Sequence, residues 1–139
     1  GGSSQSGGGG GGGDRASIQS HPFTQKTVAL KNETRTFAQA CVKQDMDTYR
    51  SSGRSVQQLS TEYFDMLKQR AASLPGDARA KAAESAGIIK KGITAMFTVG
   101  KAIVNGDTDP AQKQKLKQVI EMLDKHLKAL VGIIVAKQF

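Results

Sequence analysis

An apolar stripe near the C-terminus is the feature that most constrains how this 139-residue chain can fold. Its members are spaced alternately four and three residues apart: Leu116, Ile120, Leu123, Leu127, Leu130 and Ile134. That spacing places all of them on one face of an α-helix. Because such a helix gains most of its stability by burying its apolar face, the stripe predicts a long C-terminal helix packed against other elements.

Three further segments repeat apolar residues at helical spacing, and strict alternation is nowhere sustained. The predicted helices cover residues 22–49, 55–74, 77–104 and 110–135, with loops at 50–55, 74–77 and 105–109. Aromatic residues make up only 5% of the chain, which argues against a β-sandwich or a β-barrel. We therefore predict an all-α fold, an antiparallel up-down-up-down four-helix bundle whose first and third loops share one tip.

Local signals set these predicted boundaries. Gly53 suits the left-handed position that follows a helix, so it is expected to end the first helix. Ser55 and Gln58 fit a capping box that opens the second. Asp77 and Asp109 fit the N-caps of the last two helices, and a proline follows Asp109 directly.

The third predicted helix contains three glycines, Gly87, Gly92 and Gly100. Each costs about 0.5–1 kcal/mol relative to alanine in a helix interior. The favoured interpretation is close approach of a neighbouring helix; the alternatives are a hinge and a surface where a partner helix could approach.

The N-terminal segment differs from the rest of the chain. Residues 1–13 consist of Gly, Ser and one Gln, so they have no apolar side chain to bury. We expect residues 1–20 to be a disordered Gly/Ser-rich tail or linker and residues 21–139 to form one domain.

The residues that usually carry chemistry are few. Cys41 is the single cysteine and falls on the core face of the first predicted helix, so we expect a buried thiol that packs as a small hydrophobe. Of the two histidines, His126 lies at the edge of the C-terminal stripe with no acid or nucleophile paired to it. The sequence therefore predicts a protein that is not an enzyme, with no catalytic residues, cofactor or metal.

Basic residues are more informative, since 20 Lys and Arg against 12 Asp and Glu give a net charge of +8. Such a charge favours polyanionic partners, either nucleic acid or an anionic membrane. The predicted topology brings several basic residues towards one tip: Arg50, Arg54, Lys101, Lys113, Lys115 and Lys117. Acidic residues near the same tip dilute this charge: Asp45, Asp47, Asp107 and Asp109.

A loose N-terminal segment before a compact basic four-helix bundle resembles the membrane-localisation domains of bacterial toxins and type III secreted effectors. The stretch from Asp14 to Ser55 is most similar to the N-terminal lipid-raft-targeting domains of Bordetella cytotoxic effectors: DRASIQSHPFTQKTVALKNETRTFAQACVKQDMDTYRSSGRS. The resemblance covers about residues 14–139. It implies a non-catalytic virulence module, secreted by a bacterium into a host cell, that binds phosphoinositides at the inner face of the host plasma membrane.

In that family the first and third interhelical loops bind the lipid. Carried over by position, the implied lipid-binding residues are Tyr49, Arg50, Arg54, Lys101, Asn105 and Lys113. Arg and Lys pair with lipid phosphates, and an interfacial tyrosine lies at the level of the headgroups. This chain departs from the pattern at Asp107 and Asp109, which repel lipid unless they are turned aside.

Two other functions stay open at the level of sequence. A protein-interaction bundle would bind a secretion chaperone or a partner helix in a groove, with the glycines of the third helix as the contact surface. Nucleic-acid binding is permitted by the charge, but no recognised motif is present and the basic residues alternate with acids. The expected partners are anionic phospholipids such as phosphatidylinositol phosphates, with no nucleic acid, and a monomer is expected.

Overall fold

The fold is all-helical in the part of the chain that the computed structural model describes, residues 15–137, which contains no strand. Five helices follow one another: α1 (Arg15–Ser20), α2 (Pro22–Lys43), α3 (Met46–Ala71), α4 (Gly76–Val104) and α5 (Pro110–Ile134). The all-α prediction is confirmed. The predicted tail over residues 1–14 lies outside the described residues.

The last residues of the predicted tail form a short helix. α1 is six residues long and contacts α2, from which it is separated by a bend at His21. The His21 backbone N–H donates to Ile18 O at 3.3 Å, and the His21 ring Nδ1 accepts from the Phe23 backbone N–H at 3.1 Å. His21 thus caps α2 and is hydrogen-bonded to α1. The helical part of the chain therefore begins before residue 21.

The predicted first loop at 50–55 is wrong, because the break between the first two long helices lies at Gln44 and Asp45. Gln44 adopts the left-handed conformation, with φ 54° and ψ 39°, and ends α2. The Asp45 carboxylate then caps α3 by accepting from the Thr48 backbone N–H at 3.2 Å and from its hydroxyl at 2.8 Å. An acidic cap followed by a hydroxyl residue overrides the serine and glycine signals further along.

Gly53 lies inside α3, where its backbone packs against α2 and α4. A Cβ atom at Gly53 would lie 3.4 Å from Phe37 Cε1 of α2 and 3.7 Å from Phe97 Cε1 of α4. Ser52 is buried, and its hydroxyl donates back to the Thr48 carbonyl oxygen one turn earlier. Ser55 is therefore an interior helix residue and not the start of a capping box.

The starts of the last two helices differ in how well their signals predicted them. α4 begins at Gly76 with Pro75 in the cap position, so Asp77 lies in the first turn and is not the N-cap. Asp109 is confirmed as the N-cap of α5, since its carboxylate accepts from the Ala111 backbone N–H at 2.9 Å and Pro110 follows it.

The core lies between the long helices, and α2 contacts the other three. The predicted apolar faces are confirmed: Phe23, Leu30 and Phe37 of α2 are buried, as are five of the six residues in the α5 stripe, and Ile120 is half-buried. Val42, which follows the buried Cys41 in sequence, is 42% exposed.

Two of the three glycines in α4 permit close helix packing, as predicted. A Cβ atom at Gly92 would lie 2.7 Å from Leu123 Cδ2 of α5. At Gly100 it would lie 2.7 Å from Cys41 Sγ and 2.8 Å from Phe37 Cε2 of α2. Gly87 has no atom within 4 Å of such a position. The chain's own side chains therefore fill the surface at Gly92 and Gly100.

Gly100→Ala should lower the free energy of unfolding by about 1–3 kcal/mol, because a methyl group has no room between α4 and α2. Gly87→Ala is the matched control in the same helix and should raise it by about 0.5–1 kcal/mol through helix propensity alone. Urea unfolding followed by circular dichroism measures both. Equal stabilisation by the two substitutions would contradict the close approach of α4 to α2.

Candidate functional site

The connection between α2 and α3 lies beside the C-terminal end of α4. The Gln44 side-chain amide Nε2 donates to the Ile103 carbonyl oxygen at 2.9 Å. This bond adds a side-chain donor to a carbonyl in the last turn of α4 that also accepts from the Gly106 backbone N–H at 3.1 Å. Gln44 and the residues around Ile103 therefore belong to one end of the molecule, which we call the basic end for the side chains described below.

Three of the predicted site residues lie together at the basic end. Tyr49, Arg50 and Arg54 are on the first three turns of α3 and line a concavity of about 220 Å³ together with Phe97 of α4. Both arginines are exposed, whereas Tyr49 is half-buried with its ring centroid 5.2 Å from that of Phe37. The Tyr49 ring thus packs on the core and fixes the start of α3, from which the arginines project.

Two more predicted residues flank Ile103. Lys101 is in the last turn of α4, and Asn105 is its C-cap residue. Both side chains are exposed. They are at the basic end because Ile103, between them, is bonded to Gln44.

Lys113 lies apart from the arginines. It is exposed on the first turn of α5 and lines a groove between α2 and α5, together with Lys43 and Lys117. The groove that Lys113 lines and the concavity that the two arginines line share no residue. The structure therefore assigns the predicted residues to two neighbouring features rather than to a single pocket.

Three of the four acidic residues near the basic end accept hydrogen bonds at helix starts: Asp45, Asp107 and Asp109. Hydrogen bonds from the Thr48 hydroxyl and backbone N–H lower the pKa of Asp45, so its carboxylate stays ionised as a cap. Asp107 accepts from the Asp109 backbone N–H at 3.1 Å and from Gln112 Nε2 at 2.9 Å. The positive ends of the helix macrodipoles offset part of the charge of carboxylates held in these positions.

Sequence reasoning missed the exposed apolar side chains near the basic end. Val42, in the last turn of α2, is 42% exposed and Met46, the first residue of α3, is 37% exposed. Recognising Asp45 and Thr48 as a cap was the available signal, because it places the helix break at residues 44–45 and Met46 directly after it.

Two features of the described residues bear on reactive chemistry: the Cys41 thiol and the placement of metal-ligating side chains. Cys41 is fully buried against Gly100, and burial raises the pKa of its thiol to about 11, as expected for a thiol that packs as a hydrophobe. Among the described residues, no three His, Cys, Asp or Glu side chains are grouped so that they could hold a metal ion. None of the helices described combines the length and apolar character that a membrane span needs.

Comparison with protein families, with curated proteins and with solved structures finds no match to this chain. The resemblance to membrane-localisation domains therefore stays a prediction that rests on the residues quoted for it.

The Cys41 thiol should be unreactive towards a disulfide reagent such as Ellman's reagent in the folded protein at pH 8. The thiolate is the reactive form, and burial keeps the thiol protonated. The reaction rate should rise with urea in parallel with the unfolded fraction. The control combines Cys41→Ala with Ser51→Cys, which moves the thiol to an exposed position on α3 and should react at once. Rapid labelling of Cys41 in native buffer would contradict its burial.

Proposed function

We propose that this chain is a non-catalytic membrane-targeting module that binds an anionic, phosphoinositide-containing membrane through its basic end. The lipid-binding residues on this proposal are Tyr49, Arg50, Arg54, Lys101, Asn105 and Lys113. The resemblance to secreted effector domains makes the inner leaflet of a host plasma membrane the expected target.

An antiparallel up-down-up-down arrangement of the four long helices is part of this proposal. The bond from Gln44 to Ile103 supports it, because it joins the α2–α3 connection to the end of α4. At the start of α2, burial and the positive charges of Arg70 and Lys137 lower the pKa of His21. That effect requires the ends of α3 and α5 to be near the start of α2, as an antiparallel arrangement brings them.

The observation that carries the proposal is a difference between the two signs of charge at the basic end. Arg50, Arg54, Lys101 and Lys113 are exposed and form no ion pair within the described residues. The carboxylates of Asp45, Asp107 and Asp109 accept hydrogen bonds at helix starts. The basic groups are thus free to pair with lipid phosphates, while three of the four acids near them accept hydrogen bonds from the protein; the fourth, Asp47, is exposed in the first turn of α3.

The exposed apolar residues add a second kind of attraction. Val42 and Met46 flank the helix break that Gln44 and Asp45 form. An apolar side chain at the edge of a basic surface can enter the headgroup region while the basic groups hold the phosphates. Charge and shallow insertion together favour a membrane over a soluble anion.

The double substitution Arg50→Glu with Arg54→Glu should weaken binding to phosphoinositide-containing liposomes without unfolding the protein. At about 1 kcal/mol per basic group near an anionic surface, the loss of two attractions lowers affinity about 30-fold. Both side chains are exposed and unpaired, so stability should change little. Co-sedimentation with liposomes of graded phosphoinositide content measures the affinity.

The matched control is Lys68→Glu with Arg70→Glu, an equal charge change in the last turn of the same helix. This control should retain most of the binding because its side chains face away from the basic end. Equal loss in both double variants would show that only the net charge matters, and retention in both would overturn the membrane proposal.

A further inference from the structure

A groove of about 380 Å³ runs between α2 and α5 and has an apolar floor. Leu116 lies at the bottom and is fully buried, while Ala38 and Ile120 are half-buried on its sides. Val42 lies at the end of the groove near the basic end and is 42% exposed. The floor is the outer edge of the core, where Ala38 and Ile120 stay partly exposed, and it is separate from the membrane-binding arginines.

The groove continues along the same two helices towards the other end of the molecule. A second part of about 420 Å³ shares Arg35 and Asp124 with the first and is lined by Val28, Leu127 and Val131. Val28 is 48% exposed, so two of the three large apolar side chains that are exposed in the described residues lie along this groove. The 14 residues from Val28 to Val42 span about 21 Å of helix, or roughly four turns.

Basic side chains dominate the rims of the groove. Lys43, Lys113 and Lys117 line its first part, and Lys31, Lys125 and Lys128 line its second. With Arg35, seven basic groups face two carboxylates, Glu121 and Asp124.

An ion pair at the middle of the groove neutralises the charge of one of those carboxylates. Arg35 donates to Asp124 Oδ2 across the two helices. The Arg35 side chain stays 52% exposed, so its guanidinium keeps donors free for a ligand. Glu121 is then the one carboxylate on the rims that has no ion-pair partner in the described residues.

We propose that this groove binds an acidic amphipathic helix of a partner protein, with apolar side chains at helical spacing on the floor and Asp or Glu side chains against the lysine rims. An amphipathic helix lying in a groove uses anchors three or four residues apart, and a helix of about four turns matches the distance between Val28 and Val42. The excess of basic groups on both rims selects acidic flanks.

The other candidate occupants fit less well. A second copy of this chain carries a net charge of +8 and would be repelled by the lysine rims. Residues 1–13 have no apolar side chain for the floor. A bilayer presents a broad surface, whereas Leu116 and Ile120 lie below the lysine rims, where only a convex ligand reaches them.

The test begins with selection from a displayed library of amphipathic helices of about 16 residues. Leucine is fixed at the apolar positions, and the flanking positions vary among Glu, Lys and Ser. Selection on the folded protein should enrich Glu on both flanks. A peptide synthesised from the selected sequence should bind, and the same peptide with its leucines replaced by serine should not.

The selected peptide is then measured by fluorescence anisotropy against groove and control variants. Lys117→Glu with Lys125→Glu places one reversed charge in each part of the groove and should lower the affinity at least about tenfold. Lys68→Glu with Arg70→Glu makes the same charge change on α3 and should leave it nearly unchanged. Circular dichroism establishes that each variant is folded.

A crossed measurement separates this proposal from membrane binding at the basic end. Arg50→Glu with Arg54→Glu should keep the peptide affinity, and Lys117→Glu with Lys125→Glu should keep most of the liposome binding. If no peptide is selected and the groove variant loses liposome binding, the groove is a membrane-binding surface and the proposed occupant is wrong. Three other results would each overturn the proposed occupant. The selection could enrich lysine on the flanks, or the peptide could bind the groove and control variants with equal affinity. Sedimentation equilibrium could also show a dimer that the groove variant abolishes.

Discussion

The packing of Phe37 against two glycines is the contact on which the arrangement of the helices depends. Its ring touches the position of Gly53 in α3 and that of Gly100 in α4, and it lies 5.0 Å from the Phe97 ring and 5.2 Å from the Tyr49 ring. One side chain of α2 thereby sets the distance to two other helices. A methyl group on Gly100 would change the distance between α4 and α2, because protein cores are packed at the density of organic crystals.

This contact also explains how a buried cluster positions a charged surface. Tyr49 packs on Phe37, and Arg50 and Arg54 follow on the exposed side of the same helix. Gln44 reaches the end of α4 from the neighbouring connection and brings Lys101 and Asn105 to the same end. The basic end is therefore built on rigid helices, so its groups lose little conformational freedom when they meet a ligand.

The basic side chains discussed above lie on two surfaces, the basic end and the groove between α2 and α5. The basic end carries two exposed arginines at a concavity of about 220 Å³, with exposed apolar residues at the nearby helix break, which suits an anionic membrane surface. The groove between α2 and α5 is concave with an apolar floor and lysine rims, which suits a helix. Lys43 and Lys113 lie where the two surfaces meet, so a partner helix that occupies the near end of the groove would compete with lipid for the same ammonium groups.

Much of the fold could be predicted from the sequence because local patterns determine it. Residues that repeat every three or four positions predict the buried faces of α5 and α2, including Cys41. A side chain that can accept from free backbone N–H groups predicts the cap at Asp109. The net charge of +8, which the sequence alone determines, likewise favours polyanionic partners.

Only the tertiary structure determines the outcome at positions where local sequence signals conflict. Gly53 has the local signature of a helix end, yet it lies inside α3, where it packs against Phe37 and Phe97 of two other helices. Lys113 belongs with the arginines in sequence-based topology, but the packing of α2 against α5 places it on the rim of a groove. Val42 lies next to a core face in sequence and is exposed in space. In each case the outcome depends on which residues of another helix come within contact distance, and sequence spacing along a single helix carries no information about that.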